Sequence, residues 1–308
     1  MTGSYVSLLI AVPAAVLGAA GFGLASVVQQ RATKQVPEIR TLHPRLLLEL
    51  VRKPMWVASI ATVVVGLSLQ VVALAFGPLL LVQPLLVTSV LFAALFAAWM
   101  AGRHADWVVL VGAVCCGVGL SAFLLLGRPK ATGAAVVDAR ALPSGIALAV
   151  FLVLCLLAAR VANAKVQVLG LALATGVLYG VTAALMKVVA TEVRAGGIAE
   201  PFQGWVLYGV CVIGPAGFLL SQNTFQQGTL ISPALAVITT VDPLVGVVIG
   251  VGWFGERIVL TPAVLAGEAL AGVVLIGGIV LLTQRGEHLR QQVERGDPRS
   301  GPGEYSWG

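Results

Sequence analysis

The groups in this sequence that could do chemistry are the few ionisable and amide side chains set inside long apolar runs. Asp242 leads them, in the stretch Ser232–Arg257, SPALAVITTVDPLVGVVIGVGWFGER. A carboxylate at bilayer depth costs about 3 kcal/mol or more, so an acid kept there points to function. Pro243 follows it, lacks an N–H and crowds the carbonyl one turn back. Oxygens near Thr239 are therefore expected to lose a helical partner beside the carboxylate. Gly246 and Gly250 stand at i+4 and i+8 from Asp242, on one helix face. A carboxylate, freed carbonyls and a glycine groove on one face are the parts of a broken-helix ion or solute site.

Other candidates rank behind it. Glu268, in AGEALAG, lies about 7 residues into its own apolar run, roughly 10 Å deep, against roughly 16 Å for Asp242. Two carboxylates at such depths could face one cavity. Lys187 shares a helix face with Gly176 and Gly180 and either snorkels to the interface or serves as counter-ion to Asp242 or Glu268. Gln70 and Gln83 could line a polar path, with Pro84 as a second helix-breaking residue, and equally could bond between helices. Gln222, Asn223 and Gln226 crowd an uncharged span end and read as an inner gate or a capped terminus. Glu256 and Arg257 read as a solvated pair worth little. Cys115, Cys116, Cys155 and Cys211 all sit in apolar runs without metal-ligand spacing, and His43, His104 and His288 lie in hydrophilic connections. No nucleophile–base set is present, so neither an enzyme nor a resident cofactor is expected.

The elements that must carry these groups are membrane helices. The chain has 308 residues, 58% hydrophobic and 10% charged, with a mean hydropathy of +0.99. That composition belongs to an all-α polytopic membrane protein rather than to a soluble domain. About nine spans are expected, near 6–30, 55–76, 79–100, 107–126, 143–159, 166–191, 204–223, 230–253 and 260–283, with a tight turn at Gly77-Pro78. TLHPRLLLELV, between the first two, suits a short amphipathic helix. Spans one to four (1–126) form one half and spans five to nine (143–283) another. An external loop (127–142) separates them, and residues 284–308 read as a disordered tail. Connections on one side hold 13 Lys and Arg and those on the other hold 5. The positive-inside rule then puts the N-terminus outside and the tail in the cytoplasm. The dispersed basic residues argue against a nucleic-acid partner. Lipid and a small solute or cation are the partners implied, and a homodimer is left open.

A faint repeat links the halves. Phe76-GPLLLVQ-Pro84 matches Phe225-QQGTLIS-Pro233 in spacing and in position before a span. Its offset of five spans is odd, so the halves are inverted relative to each other, as in secondary transporters. PALAVITTVDPLVGVVIGVGWFGER resembles the end of an EamA-like repeat of the drug/metabolite transporter superfamily. KPMWVASIATVVVGLSLQVVALAFGPLLLVQPLLVTSVLF and VLYGVTAALMKV are similar to the NIPA-type magnesium transporter branch. The resemblance implies two inverted repeats on a ten-helix plan lacking its first helix, and a multi-pass protein of the cytoplasmic membrane. It also implies alternating-access transport of a small solute around Asp242, or, as the alternative, passage of Mg²⁺ or another divalent cation with Asp242 and Glu268 as oxygen ligands. The magnesium branch would carry Asn in the second span, where this chain has Gln70.

Overall fold

The computed structural model describes residues 2–33, 51–100, 107–127, 141–161, 164–226, 231–256 and 261–296, and these are almost wholly helical. In chain order the helices are α1 (Thr2–Thr33), α2 (Pro54–Phe76), α3 (Leu79–Leu86), α4 (Ser89–Met100), α5 (Trp107–Gly127), α6 (Ala141–Val161), α7 (Ala164–Gly196), α8 (Val206–Gln226), α9 (Ile231–Gly252) and α10 (Pro262–Gly296). A 3₁₀ turn, Glu200–Gln203, precedes α8. Helix is the form an apolar run takes in lipid, because it bonds every backbone group within one segment. Seven of the apolar stretches are long enough to cross a membrane: Ser7–Gln29, Pro54–Phe76, Leu79–Met100, Ala141–Arg160, Val166–Gly196, Val206–Thr224 and Pro262–Leu282. Two shorter ones, Val114–Gly127 and Ala236–Gly252, lie within α5 and α9. The chain is a multi-pass helical membrane protein.

Three expectations change. The third span is not one helix but two, α3 and α4, parted at Val87–Thr88. There the Val87 and Thr88 N–H groups turn back to Pro84 O (3.2 Å) and Leu85 O (3.1 Å). Pro84 offers no N–H, and the Thr88 hydroxyl also bonds Leu85 O at 2.7 Å, so side chain and tight turn replace the regular ladder. Pro243, by contrast, sits inside an unbroken α9. Close packing by α7 supports α9 there, which is how a membrane helix tolerates proline. Lastly, α10 continues to Gly296, well past the expected end near 283. Its last stretch, Gln284–Arg295, is rich in Gln, Arg and Glu, all good helix formers. The expected amphipathic helix near 41–51, nearly all of the 127–142 loop and Arg257 lie outside the described residues.

Packing divides into two similar groups. In one, α1 lies against α2 and α4; in the other, α7 lies against α8 and α9. The pair α5 and α10 joins them, with Gly119 of α5 so close to α10 that a Cβ there would sit 2.7 Å from Leu275 N. Small residues permit such contacts between membrane helices. Between the groups, α3 packs on α9 and α2 packs on α7.

Candidate functional site

Asp242, Gly246 and Gly250 form the expected stripe along α9, and it is covered from two sides. On one side α7 crosses through Gly176 and Gly180: a Cβ on Gly176 would lie 2.7 Å from Val241 Cβ, and one on Gly180 2.8 Å from the Asp242 carbonyl oxygen. On the other side α3 fills the groove. A Cβ on Gly246 would meet Gln83 Cγ at 2.7 Å, and one on Gly250 would meet Leu80 Cγ at 3.2 Å. The glycines therefore seat α3 rather than hold open space. Leu80 opposite Gly250 and Gln83 opposite Gly246 define an antiparallel register. Continued by one turn, it sets Asp242 level with the α3–α4 break.

The polar groups in this packing lack partners. Asp242 Oδ1 accepts no hydrogen bond, and Gln83, only 1% exposed, leaves both Oε1 and Nε2 unpaired. A buried polar atom left unpaired costs about 1–3 kcal/mol. Three at adjoining turns mark a place built for something else to bond. Tyr179 of α7 is bonded to Ser221 of α8 and lies within electrostatic reach of Asp242.

Lys187 neither snorkels nor pairs with Asp242 or Glu268. It is 7% exposed, and its Nζ donates to Gly77 O at 2.7 Å and Leu74 O at 3.2 Å. Arg194 adds a bond from Nη1 to Ala75 O at 2.9 Å, with its guanidinium 4.7 Å from the centre of the Phe76 ring. Two cations of α7 thus gather the carbonyls at the C-terminus of α2, where a helix carries partial negative charge. The acid that acts electrostatically on Lys187 is Glu256.

Glu256 is the site residue the sequence reading missed. Rather than a solvated side chain it is 3% exposed, and its carboxylate accepts the Leu79 N–H at 2.7 Å and the Leu80 N–H at 2.9 Å, at the N-terminus of α3. Local structure explains how it gets there. Gly255 adopts φ +58°, and the Glu256 N–H returns to Gly250 O at 2.9 Å, the bond that closes a helix C-terminus. The chain folds back, and Gly250 leaves room: a Cβ there would sit 2.9 Å from Glu256 Oε2. Burial pushes the Glu256 carboxyl up from the ordinary value of 4.5, while the two backbone donors and Lys187 pull it back. Its neighbour Trp253 ties α9 to α6 through Nε1 to Ser144 Oγ at 2.6 Å.

The opposite end of the bundle has an uncharged junction. Gln222 of α8, fully buried, accepts from Trp56 Nε1 of α2 at 3.3 Å and donates to Gln29 Oε1 of α1 at 3.1 Å. Asn223, also buried, bonds Leu219 O at 2.7 Å. The amide cluster is therefore a junction between helices rather than a plain capped terminus.

The other two candidates stand apart from Asp242. Glu268, 8% exposed with Oε1 unpaired, shares its α10 face with Ala271 and Leu275, which meet Gly119 of α5. No electrostatic coupling links it to Asp242 or Lys187. The expectation of one cavity shared by Asp242, Glu268 and Lys187 is not met, because depth along the membrane does not determine which face a helix turns inward. Gln70 is buried on the α2 face toward α1, where a Cβ on Gly18 would lie 3.6 Å from its backbone nitrogen. The four cysteines are free thiols.

The chain is 29% identical over 277 residues to an uncharacterized protein of Corynebacterium glutamicum, a match covering 90% of this chain and 95% of that one. No protein-family model matches the chain. No solved structure matches it.

Proposed function

We propose that the protein is a secondary transporter that moves a small solute by alternating access, with the Asp242–Gln83 stripe between α9 and α3 as its site. The observation that carries this is the set of unpaired buried groups, Asp242 Oδ1 and the Gln83 amide, level with a helix break. Discontinuous helices beside a midplane charge are how such transporters hold solutes and ions. The gating element is α3, freed from its neighbours by Gly77-Pro78 at one end and by the break at the other. Glu256 grips its first turn, so release of that grip would withdraw Leu80 and Gln83 from the glycine stripe and open a path to Asp242.

Two inverted repeats fit this reading. Phe76 and Phe225, Pro84 and Pro233, Ser89 and Ile238, and Phe92 and Val241 are each 149 positions apart. A Cβ on Gly23 of α1 would meet Ser89 O and Phe92 Cβ; one on Gly176 of α7 would meet Ile238 O and Val241 Cβ. The same contact recurs at the offset of the sequence repeat. In this view α6 has no partner in the first half. That corresponds to nine spans on a ten-helix EamA-like plan lacking its first helix, in the cytoplasmic membrane with the N-terminus outside.

Passage of Mg²⁺ or another divalent cation, as in the NIPA branch, is the alternative the sequence leaves open. It has less support. Among the described residues no three His, Cys, Asp or Glu side chains gather as metal ligands, and Asp242 and Glu268 are not coupled. Proteoliposome uptake across a solute panel and Mg²⁺, with and without a pH gradient, tests the two. Gradient-driven organic uptake lost in Asp242→Asn supports the first reading, and Mg²⁺ flux independent of the gradient supports the second.

A further inference from the structure

The chemistry of the unpaired atoms says more about what the stripe would bind. This step rests on reading the Asp242 stripe as the transport site. Asp242 Oδ1 and Gln83 Oε1 are acceptors without donors, and Gln83 Nε2 is a donor without an acceptor. A complementary solute brings N–H donors to two oxygens and an oxygen to one amide N–H. The charges around Asp242 set its sign. On α3, LLLVQPLL carries no ionisable group. On α7 the titratable group in reach is Tyr179, and α8 contributes Ser221. Lys187 and Glu268 do not act on Asp242, and the α6 contact with α9 at Trp253 is made by Ser144. An ionised Asp242 is therefore uncompensated when the site is empty, a state too costly to persist in a membrane interior.

We infer that this site takes a small monovalent amine with a neighbouring oxygen, an amino-alcohol-like solute. Its ammonium bonds Asp242 and Gln83 Oε1, and its oxygen accepts from Gln83 Nε2. The empty site holds a proton on Asp242. When the ammonium enters, the carboxyl gives up that proton to water, so one cation replaces another and the charge of the site is unchanged. Amine and proton then exchange across the membrane at a single carboxylate.

The test uses the purified full-length protein in weakly buffered detergent with a pH dye. Ethanolamine hydrochloride, ethylamine hydrochloride and ethylene glycol are added, each adjusted to the starting pH. Ethanolamine should release about one proton per protein at saturation. Ethylamine, leaving Nε2 unpaired, should do so about tenfold more weakly, and ethylene glycol should release none. Asp242→Asn should abolish the release, and Gln83→Leu should erase the preference for ethanolamine. The wild-type comparison of the two amines tests the role of the oxygen even if Gln83→Leu does not fold. The inference is overturned if ethanolamine releases no proton from wild type, if Asp242→Asn releases it equally, or if the two amines act alike. Should the amines fail while Asp242→Asn still abolishes gradient-driven uptake of another solute, this inference falls and the transport reading stands. Should Asp242→Asn transport normally, the transport reading itself falls.

Discussion

Glu256 Oε1 stands 2.7 Å from the backbone nitrogen of Leu79, a residue 177 positions earlier in the chain. With Oε2 on Leu80 N, one carboxylate caps the first turn of α3 from the end of α9. On the other side of the same Gly77-Pro78 turn, Lys187 and Arg194 hold the last carbonyls of α2. Opposite charges thus grip opposite helix ends, the arrangement that helix dipoles favour.

Removing the acid should therefore loosen α3. Glu256→Ala leaves two buried N–H groups unpaired and deprives Lys187 of its acid, which should destabilise the protein by about 2–5 kcal/mol. Thermal unfolding in detergent measures this, and an unchanged midpoint would contradict the grip.

The pH dependence of that grip follows from the raised carboxyl of Glu256. Its folded-state pKa lies above its unfolded value, so the folded protein binds a proton that the unfolded chain releases. The resulting stabilisation is present below the unfolded value and is lost as pH rises through the folded one. Relative to Glu256→Gln, wild type should gain thermal stability as pH is lowered from 7 toward the ordinary value of 4.5. A wild-type-minus-variant difference that stays flat over that range would refute this.

Glycine substitutions should sort by what faces them. A Cβ at Gly246 or Gly250 would strike Gln83 or Glu256 and Leu80, whereas one at Gly272 meets nothing within 4 Å. Gly246→Val and Gly250→Val should wedge α3 from α9 at a cost of about 1–3 kcal/mol and impair transport. Gly272→Ala should be neutral or slightly stabilising in both measurements. Equal effects at the three positions would show that the stripe is not the seat of α3.

Much of this was legible in the sequence. Apolar runs gave the helices to within a few residues, and Asp242, Gly246 and Gly250 fell on one face by spacing alone. The faces of Lys187 and Glu268 were not legible, since depth along a helix says nothing about which neighbour it meets. Two prolines inside apolar runs looked alike. Only the turn chemistry of Thr88 and the packing of α7 on α9 separate the break after Pro84 from the intact helix at Pro243. Glu256 was lost because its partners are 177 and 176 positions away, although Gly255 beside it was a local sign of a chain folding back.

The uncharged junction at the other end should matter for stability too. Gln222→Leu removes the partner of Trp56 Nε1 and the donor to Gln29 Oε1. A loss of about 1–3 kcal/mol is expected on thermal unfolding. Cysteines placed at the Trp56 end should also become more reactive to a soluble thiol reagent, whereas unchanged reactivity and melting would make the junction incidental.

Asp242 is the centre of the account, and a single measurement bears on it most directly. Wild type and Asp242→Asn are reconstituted at matched protein levels, with folding checked by melting temperature, and gradient-driven uptake is followed in proteoliposomes. Asn keeps the shape of the side chain but cannot ionise, so the variant should fold and insert normally while gradient-driven uptake is abolished. Wild-type uptake by Asp242→Asn would mean that the acid is structural, and would contradict the account.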